Sequence, residues 1–362
     1  MESNFKKDIL LVLWVAGDNN LYHAGVNTYL GYSLLCEMSK FGVVVNALGY
    51  TDAIYTPSRS FYDSKLFRRI NFITRFLFYD NRIGDYLRNS FKISFTVLRK
   101  KILSINPDII FTTNPYPELL SIAKKYSINL VLWGIDDPFS FNSELFSFAK
   151  ECILVFTTNY YSLKTYKEKG VNNVVLLLPC YDPLYWKPLH VTKKENVVFV
   201  GNVYKDRAPR LRSTIKAIGK VTTINLYGNG YRSIINDERN ICKIFNPIDW
   251  RDVCYIYNKH KIVLNVHRGY YGINFRDIEA LGSGSFLLTD YTRGLESIIE
   301  PKKECIVFYD IDELPEIVSY YLNEEEERCK ISKAGYIRVL REHTVQQRAK
   351  QIIFHFKKLG LL

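Results

Sequence analysis

Eleven short apolar runs, four to seven residues long and separated by helix-patterned stretches, decide most of what this chain can fold into. In the first half they are Ile9 to Val15, Val43 to Leu48, Asp108 to Thr112, Asn129 to Trp133, Ile153 to Thr157 and Val174 to Leu178. Amphipathic stretches such as Tyr29 to Ser39 and Pro117 to Tyr126 fall between them. Strands too apolar to face water on either side, alternating with helices, make a parallel sheet covered on both faces. The pattern breaks at Leu178 to His190, where Pro179, Pro183 and Pro188 block both helix and central strand, as expected of an interdomain link. It then restarts with Asn196 to Val200, Thr223 to Tyr227, Ile262 to Val266, Ser285 to Thr289 and Cys305 to Phe308. The expected fold class is therefore α/β, with two Rossmann-like doubly wound domains over 1–183 and 184–340. The segment 341–362 carries a basic amphipathic helix, Val345 to Leu359, expected to cross back to the first domain. The acidic run Glu324 to Glu327 follows Asn323, a good N-cap, and reads as a helix start rather than a metal site.

At 362 residues the chain exceeds a typical single domain, which agrees with two cores. Its seven cysteines are odd in number, widely spaced and without metal-ligand spacing, which suits buried thiols in a reducing compartment. The apolar start Ile9 to Ala16 is too short to span a bilayer, and Glu2 and Asp8 spoil a signal-peptide n-region, so a cytoplasmic location is expected. Net charge is +12 and uneven: Lys65 to Lys101 holds ten basic residues against two acidic ones, together with eight aromatics. That mixture suits a helix on an anionic membrane surface, which would make the protein peripheral to the membrane, or a groove for a polyanion such as nucleic acid. A helical pair with buried aromatics and solvated arginines has the same composition.

Chemistry concentrates in the second domain. The stretch from Asn274 to Glu300 puts Glu279 on a short helix ended by Gly282 and Gly284, directly before a buried strand from Phe286 to Thr289. The Tyr271 to Asn274 run ahead of it offers backbone N–H groups at the positive end of the helix dipole, where a phosphate would sit. The opening FVGNVYKDR runs a strand into Gly201 and Asn202, then Lys205 and Arg207, so backbone can approach a diphosphate that basic side chains neutralise. LYGNGY, with Tyr227 and Gly228, and LNVHRGYYG, with His267, are two further strand–glycine loops. In a doubly wound sheet such loops converge at the carboxyl ends of the strands, and a carboxylate there can accept both ribose hydroxyls. His267, a lone histidine at a strand end, is a catalytic candidate, though that position is more often structural. In the first domain Asp136 and Asp137 of WGIDDPF, and Asp18 and His23 of WVAGDNNLYHAG, follow strands and are expected to face the interdomain crevice. Asp137 could serve as or orient a base, or it could be ordinary turn chemistry before proline.

These motifs resemble the group 1 glycosyltransferases, and among them the CgeB-type, spore-maturation-like branch. FVGNVYKDR, LYGNG, NKHKIVLNVHR, FRDIEALGSGSFLLTDYTRGLESIIE and AGYIRVLREHTVQQRAKQI carry the likeness in order from Asn196 to Ile353; INPDIIF and WGIDDP carry it more loosely in the first half. The resemblance implies a GT-B fold, two Rossmann-like domains facing a crevice, with a nucleotide-diphosphate sugar as donor in the C-terminal one and a glycan, lipid-linked or protein acceptor in the other. It implies Glu279 on the ribose, Arg207 with Lys205 on the diphosphate, close approach at Gly201 and Asn202, and Tyr227 and Gly228 beside the base. Asn274 and Arg276 would complete the donor site at the helix start, and Asp137, His267 and Arg207 are the catalytic candidates. Retention of configuration, no metal and no cofactor beyond the donor are the family expectations. Many members carry a second glutamate where this chain has Tyr271, which leaves room for a non-catalytic nucleotide-sugar-binding module. A nucleic acid acceptor fits the basic segment less directly. A Rossmann oxidoreductase is disfavoured, because GDNNLYHAG rather than G-x-G-x-x-G follows the first strand.

Overall fold

The computed structural model of the chain describes residues 8–13, 33–34, 36–49, 95–113, 115–235, 240–269 and 273–362. The loop bearing Asp18 and His23, residues 65–94 of the basic segment, and Tyr271 lie outside the described residues. Contacts divide the chain into two compact units. One comprises Met1–Trp133, Asn142–Val155 and Phe356–Leu362; the other comprises Gly134–Phe141 and Phe156–His355.

The apolar runs of the first half are strands: β1 (Asp8–Leu13), β2 (Val44–Gly49), β3 (Ile109–Thr112), β4 (Asn129–Gly134), β5 (Leu154–Thr157) and β6 (Val174–Leu176). They form one sheet in the order β2-β1-β3-β4-β5-β6. The pairings of β1 with β2 and β3, and of β3 with β4, are parallel. Every residue of β3 and of β5 is buried, as continuous apolar strands in a covered sheet require. Between them run α1 (Phe95–Ile105), α2 (Pro117–Tyr126), α3 (Ser143–Lys150) and α4 (Tyr160–Glu168). Their starts are written locally: Pro117 opens α2, while the side chains of Asn142 and Asn159 accept from Leu145 N and Ser162 N at 2.7 and 2.8 Å.

The second half repeats the plan with β7 (Glu195–Val200), β8 (Ile224–Tyr227), β9 (Cys242–Phe245), β10 (His260–Asn265), β11 (Leu287–Asp290) and β12 (Ile306–Phe308). Their order is β12-β11-β10-β7-β8-β9, parallel throughout. The helices are α5 (Ala208–Gly219), α6 (Trp250–Lys259), α7 (Phe275–Gly282), α8 (Leu314–Asn323), α9 (Glu325–Glu342) and α10 (Val345–Lys358). Phe199, Leu226, Leu264, Leu288 and Phe308 of the strands pack with Leu211 and Ile215 of α5 in a single buried cluster. The acidic run begins α9, with Glu325, Glu326 and Glu327 in its first turn, but Asn323 is not its cap: Asn323 ends α8, and Glu324 takes the N-cap position without a side-chain cap hydrogen bond. All seven cysteines are free thiols, five of them buried; Cys36 and Cys329 are exposed.

The proline-rich link is fixed by one buried side chain. Arg348 of α10 donates through Nε to Leu178 O at 2.6 Å and through Nη2 to Pro179 O at 3.1 Å, and it also meets His343 Nδ1 at 2.8 Å. Burial and the Arg348 charge push the His343 imidazole down to about 3, which keeps it neutral and able to accept from Arg348. Among the described residues no helix is long and apolar enough to cross a membrane.

Candidate functional site

The carboxyl ends of β7, β8 and β10 carry the three glycine loops, and two of them interlock. Gly201 N donates to Tyr227 O at 2.8 Å, Val203 N to Asn229 O at 2.9 Å, and Asn229 N to the Asn202 side chain at 2.9 Å. The Tyr231 hydroxyl closes the junction on Gly201 O. Glycine is required at 228 twice over: its φ is +141°, and a Cβ there would lie 2.3 Å from Gly201 O. Tyr227 stacks on Phe245 with ring centroids 4.5 Å apart and leaves one side of the junction flat and aromatic.

Gly201 has a different reason to be glycine. A Cβ at this position would come within 3.0 Å of Arg276 Nη2 and 3.4 Å of Arg207 Nη2, so two guanidinium groups converge on a bare stretch of backbone. Arg207 is buried and donates to Val266 O at 3.1 Å and to Asn202 O; its Nε has no partner among the described residues. Arg276 donates to the Asn265 side chain at 2.9 Å. Both lie over the Phe199 ring, at 5.0 and 5.6 Å. Among the described residues neither arginine has a carboxylate within ion-pair distance. Burial, and then repulsion from Arg276, lowers the Arg207 pKa to about 9. An anion placed between them would supply the missing charge and accept from the remaining N–H groups.

Behind this pair stands a charge cluster that is closed. His267 N and Nδ1 meet Asp290 Oδ1 at 2.9 and 2.6 Å, and Nε2 meets Asp277 Oδ2 at 2.7 Å. The second oxygen of Asp290 pairs with Arg210 Nε at 2.9 Å. Burial opposes a charge on this ring, but the two carboxylates outweigh it and raise the pKa to about 10. Asp277 also forms a capping box with Asn274 at the start of α7, and its other oxygen accepts from Asn265 at 2.5 Å. Both nitrogens of His267 are therefore occupied. The ring orients the strand end and helix start that carry Arg276, and neither nitrogen is left for a substrate proton. Glu279 lies one turn beyond Arg276 on α7, on the same face, and is buried.

Asp137 is turned inward too. Its carboxylate accepts from Thr157 and Ser140 hydroxyls at 2.7 and 2.8 Å and from Tyr166 at 3.4 Å, and it fills the space beside Gly134 where a Cβ would lie 2.2 Å from Oδ2. Burial among neutral hydroxyls raises its pKa to about 7. That environment anchors the loop after β4. Its neighbour Asp136 has a raised pKa through burial, opposed by Arg268. Arg268 itself pairs with Asp206 at 2.9 Å and lies 4.3 Å from the Phe139 ring and 4.4 Å from the Tyr204 ring. Lys205, in the same loop as Tyr204, is exposed.

The fold around this site has known relatives. Residues 193–353 match the family described as "Glycosyl transferase-like". A search of curated proteins finds no match. Among solved structures, a glycosyltransferase from Rickettsia africae superposes with a TM-score of 0.69 at 10% identity, covering 98% of each chain. Sucrose-phosphate synthase from Thermosynechococcus elongatus and Anabaena HepE in complex with UDP-glucose both give 0.67 at 12% identity over 98% of this chain and 100% of theirs. The whole chain thus has the GT-B fold, two Rossmann-like α/β halves, as the motifs of the second half imply.

Proposed function

We propose that the protein transfers a sugar from a nucleotide-diphosphate donor to an acceptor. The observation that carries this reading is the pair of guanidinium groups, Arg207 and Arg276, aimed at the bare Gly201 backbone without an acid of their own among the described residues. A diphosphate is the ligand class that satisfies two uncompensated arginines and also needs a glycine for close approach. In this reading Arg207 and Arg276 hold the diphosphate and stabilise it as leaving group, with Lys205 and the Asn202 region at its rim. Glu279 accepts the ribose hydroxyls, and Tyr227 and Gly228 border the base. The GT-B neighbours support it: Anabaena HepE is solved with UDP-glucose, and the pneumococcal O-GlcNAc transferase GtfA, at TM-score 0.54 and 12% identity over 72% of this chain, is solved with UDP and GlcNAc.

The donor-site motifs further suggest the CgeB-type branch, with retention of configuration and no metal. The acceptor is a glycan, a lipid-linked molecule or a protein, and the basic segment 65–101 would bring the enzyme to an anionic membrane surface in the cytoplasm. A purified-protein screen against UDP-, GDP-, ADP- and TDP-sugars tests the reading. One donor class should raise the melting temperature, and Glu279→Ala should weaken the shift. No shift with any of them, and no effect of Glu279→Ala, would remove its basis. Donor hydrolysis or transfer that disappears in Glu279→Ala separates the enzyme from a non-catalytic binding module. Cosedimentation with anionic liposomes, against salt-sensitive DNA binding, separates a lipid surface from a nucleic acid acceptor.

A further inference from the structure

The edge of the second sheet opposite the glycine loops holds another concentration of positive charge. Lys193, ahead of β7, and Lys261, the second residue of β10, line a cavity of about 260 Å³ together with Arg328, Cys329, Ser332 and Lys333 of α9. The four α9 residues share one helix face by their spacing. Among the described residues none of the four cations is answered by an acid. Lys193 Nζ donates to Asn258 O and His260 O at 3.1 and 3.0 Å, Lys261 Nζ to Leu322 O at 3.5 Å, and Arg328 Nη1 to Tyr321 O at 2.5 Å. Carbonyl oxygens hold these side chains in place, and among the described residues no carboxylate pairs with any of them. Arg328 is 3% exposed, so its charge is carried with little help from water. Burial, and then the Arg328 charge, pushes the Lys193 ammonium down to about 8. The pocket is thus short of negative charge by its own geometry and by its effect on its own lysine.

We propose that this cavity is a second anion site, for inorganic phosphate, pyrophosphate or a small phosphate monoester, separate from the donor site. A planar guanidinium fork and ammonium groups suit tetrahedral phosphoryl oxygens. The volume lies just below the ~300–1,000 Å³ of pockets for larger ligands, which suits a small anion. Its position separates it from the donor loops: Lys193 and Lys261 stand where β7 and β10 begin, whereas Gly201 and His267 follow the ends of the same strands. A ligand here would join α9 to the start of the sheet.

The pocket contains its own reporter. Cys329 is an exposed thiol in its lining, and Cys36, the other exposed thiol, is an internal reference remote in sequence. Alkylation at each cysteine, read by mass spectrometry, is compared in inorganic phosphate or pyrophosphate and in chloride at equal ionic strength. Occupancy should slow Cys329 in proportion to 1 + [anion]/Kd, about tenfold at ten times Kd, with Cys36 unchanged. Lys333→Glu, at an exposed position, should keep the melting transition and abolish the protection; Lys261→Gln should reduce it. Protection should persist in Arg276→Ala, which separates this site from the donor site whichever way the donor reading falls. Equal alkylation of Cys329 in phosphate, pyrophosphate and chloride overturns the proposal, as does protection undiminished in Lys333→Glu.

Discussion

The His267 cluster and the Arg207–Arg276 pair adjoin one another at the end of the second sheet, and they treat charge in opposite ways. In the first, Arg210, Asp290, His267 and Asp277 alternate in sign and satisfy one another through contacts of 2.6 to 2.9 Å. In the second, two guanidinium groups face the same glycine and donate to carbonyl and amide oxygens, with no carboxylate partner among the described residues. A closed cluster of buried charge fixes structure, whereas an open one asks for a ligand. Burial alone does not distinguish them, since His267 and Arg207 are both buried. The accounting of partners does.

The largest expected effect is on the closed side. Asp277→Ala strips the α7 cap and leaves His267 with a single carboxylate, so unfolding free energy should fall by about 3–5 kcal/mol, the usual cost of breaking a buried pair. A denaturant titration reads this, and a loss under about 1 kcal/mol, the range of an exposed pair, would mean the cluster is not closed. On the open side, Arg276→Ala should leave stability unchanged or slightly improved, because it relieves repulsion on Arg207. Donor affinity should drop by roughly ten- to a hundredfold, the worth of charged hydrogen bonds at about 1.5–3 kcal/mol. If instead stability falls and binding survives, the two regions have been assigned the wrong way round.

Protonation separates the clusters more finely. His267 is raised to about 10, above its unfolded value near 6.5, so its contribution is fully present below about pH 6.5 and is lost as pH rises through 10. Asp137 is raised to about 7, above the ordinary 3.8, so the folded state holds the extra proton between those values and stability declines as pH rises through 7. Stability curves against pH should therefore flatten between about pH 4 and 7 in Asp137→Asn, and between about 6.5 and 10 in His267→Leu. An unchanged slope in either variant would break that assignment. The smallest effect is expected from Gly201→Ala: the added methyl presses on Arg276, and donor binding should weaken by less than in Arg276→Ala, with the melting temperature near that of the parent.

Much of the fold was legible because its strands are continuous apolar runs, and all eleven of them became strands with ends displaced by no more than two residues. The twelfth, β9, escaped because three of its four residues are exposed, leaving CKIF without a buried run to read. Helices α3, α4 and α6 were not singled out either. Their starts lie in side-chain caps at Asn142, Asn159 and Asp249, which look like loop residues until the following N–H groups are counted. In the site, the glycine loops and Glu279 follow from strand–turn spacing. The role of Asp277 does not, because it exists only once β10, α7 and β11 bring residues 267, 277 and 290 together. Asp137 reads as a loop acid before proline that opens on a crevice, yet the hydroxyls of Thr157 and Tyr166, 20 and 29 residues away in sequence, draw it inward.

The open pair is the centre of the account, and calorimetric titration of UDP, GDP, ADP and TDP into the parent protein and Arg276→Ala tests it most directly. One diphosphate should bind the parent and bind at least about tenfold more weakly to the variant, with both proteins melting alike. Equal affinity for the two proteins, or no diphosphate binding to the parent, would contradict it.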